Sequence, residues 1–328
     1  MPSQKGFAPI YLIVAVLVVV AVAALGFSRF TGQRFGPPQN SPTSNQISKP
    51  STEKSQSWQG VGPVIPGTFA DAEVVDLNNG KYRMYYSVEP EVPGNNLEIY
   101  SSVSTDGINW TQEEGIRKTM ATFPDVVKLP DGTWRMYFQN AGVIKSAVSS
   151  NGLSWTDEPG VRISKNESGY DLENVGAQGT IRLDDGTYIM AYRGTINKPY
   201  QTTEKIPNKD THVYFWATSK DGLTFGKKGL AIDSRNETLL GAVDGAEWVK
   251  WDDGQSRIYF WSYAGVYHVT YQDNSFSQPV FDFTNNKDPM AKFSPNPPGD
   301  PTIMKINGKW FMYYGQHTKG IYYALGGE

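Results

Sequence analysis

The chain has 328 residues and no cysteine, so neither disulfides nor thiolate metal sites can hold it together. Its formal net charge of −3 supplies no basic field for nucleic acid. With 19 Tyr, 15 Phe, 9 Trp and 33 Gly, the composition points to aromatic strands cut by glycine turns, an all-β domain.

The first predicted element lies within residues 1–30. Residues 7–27 are apolar and carry no charge, close to the ~20 residues a helix needs to cross the hydrocarbon core. Lys5 precedes the run and Arg29 and Arg34 come after it, so flanking charge does not set the orientation. We read it as a single-pass anchor in the cell membrane that exports the rest of the chain. The small-residue stretch Ala21-Val22-Ala23 also suits signal cleavage, which would give a secreted domain instead. Residues 31–56 are rich in Pro, Ser, Asn and Gln. Such a segment buries too little apolar surface to order itself and reads as a flexible spacer.

Residues 57–328 form the working domain, and a repeat organises it. Glu73-Val-Val-Asp-Leu-Asn-Asn-Gly-Lys-Tyr-Arg-Met-Tyr-Tyr aligns with Asp125-Val-Val-Lys-Leu-Pro-Asp-Gly-Thr-Trp-Arg-Met-Tyr-Phe. Further copies start at Gly179, Glu247 and Asp300. Each is an apolar strand, an Asp-Gly or Asn-Gly turn and an aromatic strand, a strong hairpin signal. A second turn motif comes after most copies: Ser104-Thr-Asp-Gly-Ile-Asn-Trp110, Ser149-Ser-Asn-Gly-Leu-Ser-Trp155 and Ser219-Lys-Asp-Gly-Leu-Thr-Phe225. Two hairpins make four antiparallel strands, the content of one propeller blade, and five copies predict a five-bladed β-propeller. A β-sandwich or open hairpin array is the alternative. The last copy lacks its final turn unit, whereas Trp58 precedes Glu73 by the same interval as Trp110 precedes Asp125. The segment at Trp58 is therefore expected to supply the fourth strand of blade five and close the ring.

First strands of blades line the axis. The aligned first positions are Glu73, Asp125, Gly179, Glu247 and Asp300, with Asp71 and Asp244 close by. Carboxyls converging in a narrow channel perturb one another's proton affinity, as acid–base hydrolysis of a glycosidic bond requires. Asp71, Glu73, Asp125, Glu247 and Asp300 are thus the candidate catalytic residues. Arg193 is a candidate channel cation, to contact substrate or pair with these acids, and Trp248, beside Glu247, a candidate sugar-stacking ring. Asp106, Asp131, Asp185, Asp221 and Asp253 read as turn residues.

Phe123-Pro-Asp125-Val-Val, Asp131-Gly-Thr-Trp-Arg-Met-Tyr-Phe and the Asp300-Pro301 start resemble the five-bladed glycoside hydrolases of families 43, 32 and 68 over residues 58–328. The resemblance implies an Asp base in the first blade, a supporting Asp in a middle blade and a Glu acid in a later one. Glu73 or Asp71 would take the first role and Glu247 the last. Blade three departs, with Gly179 where an acid is expected and Asp171 and Glu173 as its nearest acids. It also implies calcium near the axis held through a histidine in blade five, where His317 stands. The resulting expectation is an extracytoplasmic glycosidase acting on a furanosyl or related glycan, with a carbohydrate partner and no nucleic acid. A non-catalytic propeller binding glycan or protein is the alternative.

Overall fold

The computed structural model describes Ser55, residues 57–201 and residues 210–326. The apolar run, nearly all of the spacer, residues 202–209 and residues 327–328 lie outside them. Among the described residues no helix is long and apolar enough to cross a membrane.

Five antiparallel sheets radiate around one axis, each built on four strands; in four of them the strands follow chain order from the centre outwards, and in the fifth the outermost strand comes from the start of the domain. The innermost strands are Phe69–Asp76, Thr122–Lys128, Leu172–Arg182, Asp244–Lys250 and Gly299–Ile306. Their partners Tyr82–Val88, Trp134–Asn140, Tyr188–Ile196, Ser256–Ser262 and Lys309–Gln316 return at once through the predicted turns. Asp131 shows why these turns form: its Oδ1 accepts the Thr133 backbone N–H at 3.0 Å, and Gly132 takes a φ of 86°. Asp106 and Asp221 act likewise in the outer turns, and Asp185 and Asp253 in inner ones.

Ring closure matches the expectation. Strand Trp58–Pro66 pairs antiparallel with Gly320–Gly326, from Trp58 opposite Gly326 to Pro66 opposite Gly320. Blade five therefore joins both ends of the domain, and opening the ring breaks a sheet.

Five apolar layers separate the blades, one at each interface. Trp248 belongs to the layer between blades three and four, its ring edge-on to Tyr271 at 5.6 Å. This corrects its assignment as a sugar platform. Successive strand residues face opposite ways, so the alternation that turns Glu247 to the channel turns Trp248 into the interface.

A repeated polar latch crosses three interfaces. Tyr85 Oη donates to the Gly152 carbonyl at 2.9 Å, Tyr137 Oη to Gly222 at 2.8 Å and Tyr313 Oη to Gly107 at 2.8 Å. Each acceptor lies in the Ser-x-Asp/Asn-Gly turn of the next blade, where the serine hydroxyl accepts the glycine N–H. Arg83 and Arg135 add charged arms, each paired with a glutamate of its own blade while donating to the same neighbouring turns. The turn motif is therefore an interblade socket. Replacing Tyr137 with Phe strands a buried carbonyl and is expected to cost about 1–2 kcal/mol. A lower midpoint in thermal unfolding, by a few degrees, is the measurement that checks it.

Candidate active site

The innermost strands share a register break against their partners, between Ala70 and Glu73, Thr122 and Asp125, Gly176 and Gly179, Asp244 and Glu247, and Gly299 and Thr302; the blade-three strand has a second, between Leu172 and Asn174. At each of the five shared breaks one residue turns left-handed, with φ of 54° at Asp71, 52° at Phe123, 44° at Ala177, 62° at Gly245 and 44° at Asp300. A bulge of this kind re-aims the side chains around it.

These breaks sort the acids into two tiers. Glu73, Asp125, Gly179, Glu247 and Thr302 share one ring, each opposite the equivalent residue of its partner strand. Asp71 and Asp300 share the other, on the left-handed positions. Asp300 thus does not belong with Glu73, as alignment of the repeats had placed it. The fifth hairpin closes through the two-residue turn Asn307-Gly308, both with positive φ, and so is one residue shorter than the others.

The lower tier is tightly bonded. Glu73 Oε1 accepts the Val126 N–H at 3.2 Å, and Asp125 accepts the Thr180 hydroxyl at 2.6 Å and its N–H at 3.2 Å. The Glu73 and Glu247 carboxyls adjoin, and each acts on the other's proton affinity. Burial pushes Glu73 up to about 7. It also raises Asp125 and Glu247 well above the usual carboxylate range, with the Glu73 charge adding to both. Only about 20 Å³ of open space remains beside Glu73 and Glu247. Blade three contributes no acid for a steric reason. A Cβ on Gly179 would sit 2.3 Å from the Ala246 carbonyl oxygen. Asp171 and Glu173 are exposed and do not fill the place.

The upper tier opens into a cavity of about 330 Å³ lined by Asp71, Asp244, Asp300, Arg193, Gln139 and Trp261, among others. Asp71 Oδ2 accepts the Phe123 N–H at 3.3 Å, and its carboxyl is pushed up to about 7, chiefly by burial, against the pull of a Ser87 hydrogen bond. Asp300 Oδ1 accepts Trp261 Nε1–H at 3.0 Å. Burial, with the charges of Asp71 and Asp244 added, raises it well above the usual range. Arg193 pairs with Asp244 and lies over the Phe123 ring, 5.5 Å from its centroid. Of the sequence candidates, then, Asp71, Asp300 and Arg193 meet in the main cavity. Asp125, Glu73 and Glu247 stand below it.

Sequence reasoning missed Ser87, Gln139 and Trp261 at this site. A signal was available: each lies two residues beyond the tyrosine that faces the lower ring, at Tyr85, Tyr137 and Tyr259. Arg193 occupies the same position in blade three.

His317 lies at the cavity rim, in contact with Glu89 and 3.8 Å from Glu91. Glu89, Glu91 and His317 are close enough for one divalent ion. One imidazole with two carboxylates suits a borderline metal better than the all-oxygen cage of calcium. The axial acids fit calcium no better, being engaged with protein donors and with one another. The expected axial calcium therefore has no fitting donor set here.

No family model matches the chain, and no curated protein matches it. Solved structures do. One, described as showing that the family 130 mannoside phosphorylases contain glycoside hydrolases targeting β-1,2 mannosidic linkages in Candida mannan, superposes with a TM-score of 0.59 at 13% identity, over 85% of this chain and 96% of that one. A family 43 enzyme from Xanthomonas citri gives 0.57 at 12%, over 81% and 90%. An α-L-arabinofuranosidase of family 43 from Clostridium thermocellum gives 0.51 at 18%, over 77% and 88%. At such identities the likeness establishes the fold, a five-bladed propeller of the kind these glycoside hydrolases use.

The buried acids make stability depend on pH. Folded Asp71 and Glu73 bind protons more tightly than ordinary carboxyls with values of 3.8 and 4.5. Their contribution is complete below about pH 4 and is lost as pH rises through 7. Each tenfold difference in proton affinity is worth about 1.4 kcal/mol, so several kcal/mol disappear between pH 5 and 8. A series of thermal midpoints should fall across that range, and Glu73→Gln should flatten the slope.

Proposed function

We propose that the domain is a glycoside hydrolase acting on a neutral furanosyl or related sugar. The observation that carries the reading is the contrast between two carboxyls of one cavity. Burial raises both, Asp71 to about 7, and at Asp300 the charge of Asp71 adds to the rise. Carboxyls whose surroundings set their proton affinities apart are suited to acid and base roles.

In this reading Asp300 donates its proton to the glycosidic oxygen as the C1–O bond breaks. Ionised Asp71 takes a proton from the attacking water or bonds to C1 directly. Water supplies the hydroxyl at C1, and its remaining proton restores the acid. Asp244, held in place by Arg193, sets a negative charge beside the positive charge that develops on the sugar. Trp261, by donating to Asp300, fixes the direction from which its proton is delivered.

The acceptor is water rather than phosphate. Five carboxyls line the cavity: Asp71, Glu89, Glu91, Asp244 and Asp300. Its two basic side chains are engaged, Arg193 with Asp244 and His317 with Glu89. An orthophosphate dianion would meet net repulsion there. The arabinofuranosidase and mannan-directed neighbours make arabinosides and mannosides the first substrates to try. As a tether, residues 7–27 would hold the domain over glycan outside the membrane.

The opposing reading, a non-catalytic sugar-binding propeller, is favoured by the absence of an acid at Gly179 and Ala177 in blade three. Hydrolysis of nitrophenyl arabinofuranosides and mannosides by the chain separates the two. Asp71→Asn and Asp300→Asn should each lower kcat by about 10²–10⁴, while Glu247→Gln, one tier below, should cost less than about tenfold. The profile of kcat/KM against pH should be bell-shaped, its acidic limb near 7. Sugar binding without turnover at any pH would decide for the non-catalytic propeller.

A further inference from the structure

The cavity is walled at every blade interface. Between blades one and two, the Phe123 N–H donates to Ser87 Oγ at 3.1 Å and to Asp71. Between two and three, Arg193 Nη2 donates to Gln139 Oε1 at 3.4 Å. Arg193 and Asp244 bridge three and four. Trp261 and Asp300 bridge four and five, as do Asn285 Nδ2 and Gln316 Oε1, at 2.6 Å. Blades five and one are joined by Glu89, which accepts the Thr318 N–H at 2.9 Å and contacts His317. The lower carboxyl tier closes the floor, where about 20 Å³ is left open.

The space so enclosed is about 330 Å³, at the small end for ligand pockets. A space of that size suits one sugar ring rather than a run of several. A chain lying across the propeller would need a groove open at two opposite sides. Here the Glu89 link blocks one side and the Arg193–Asp244 pair the other.

Building on the hydrolase reading, we propose that the cavity accepts only the terminal ring of a glycan, so that the domain removes single sugars from chain ends and does not cut within chains. The terminal ring enters through the single mouth and its glycosidic oxygen faces outwards. The remainder of the glycan stays in solvent as the leaving group. Glu89 and His317 then face the ring's free hydroxyls and set specificity.

The test uses the full-length chain in detergent with linear arabinose and mannose tetrasaccharides, each labelled at the reducing end. Early products should be free monosaccharide and a labelled trisaccharide. Labelled mono- or disaccharide at early times would overturn the terminal mode while leaving hydrolysis intact. A second readout does not need turnover. In saturation-transfer NMR of Asp300→Asn with the same sugars, contact should be confined to the non-reducing ring. Saturation spread along three rings would overturn the inference even where nothing is cleaved. Neither cleavage nor saturation with both sugars would sink it together with the hydrolase reading.

Discussion

The site depends on one backbone feature, the left-handed residue that interrupts each innermost strand. A regular strand would carry its side chains to alternating sides from end to end. The break inserts an extra residue and sets off a second ring of positions above the first. For Phe123 and Ala177, neither of which favours positive φ, the conformation costs on the order of 1–3 kcal/mol. The closed ring of blades upholds that strain at Phe123 and Ala177 and repeats the same left-handed turn at all five positions.

The second constraint is electrostatic. Six acids approach one axis: Asp71, Glu73, Asp125, Asp244, Glu247 and Asp300. Were all ionised, burial and mutual repulsion would work against folding. The protein meets this in different ways at the two levels. In the lower tier burial favours the protonated carboxyls, and Glu73 and Asp125 accept backbone N–H groups of the next blade, tying blades together. In the upper tier one acid is matched by Arg193 and the others face a cavity. Unmatched carboxyls over open space can act on a ligand, whereas saturated ones below serve the architecture.

The five blades are equivalent in backbone and unequal in side chains. Blade three is the clearest case. Gly179 and Gly176 leave room for the neighbouring chain, the former for the Ala246 carbonyl and the latter for the Gln139 side chain. Blade three contributes Arg193 from its second strand in place of an acid from its first. The asymmetry gives the cavity one positive wall and so orients whatever binds.

Local chemistry made the architecture readable from the sequence. An Asp-Gly turn between apolar and aromatic stretches forms its hairpin largely regardless of distant contacts, so strand content, blade count and closure through Trp58 came from spacing alone. Period-two alternation also held the information that Trp248 turns away from Glu247. The apolar character of residues 7–27 is likewise a property of the sequence. Tertiary structure alone decided which acids share a cavity. Tier membership depends on where each strand breaks register, and no residue type marks that point, since Asp, Phe, Ala and Gly all occupy it. Proton affinity was equally out of reach, because it depends on burial and on charges from other blades brought to the axis by closure of the ring.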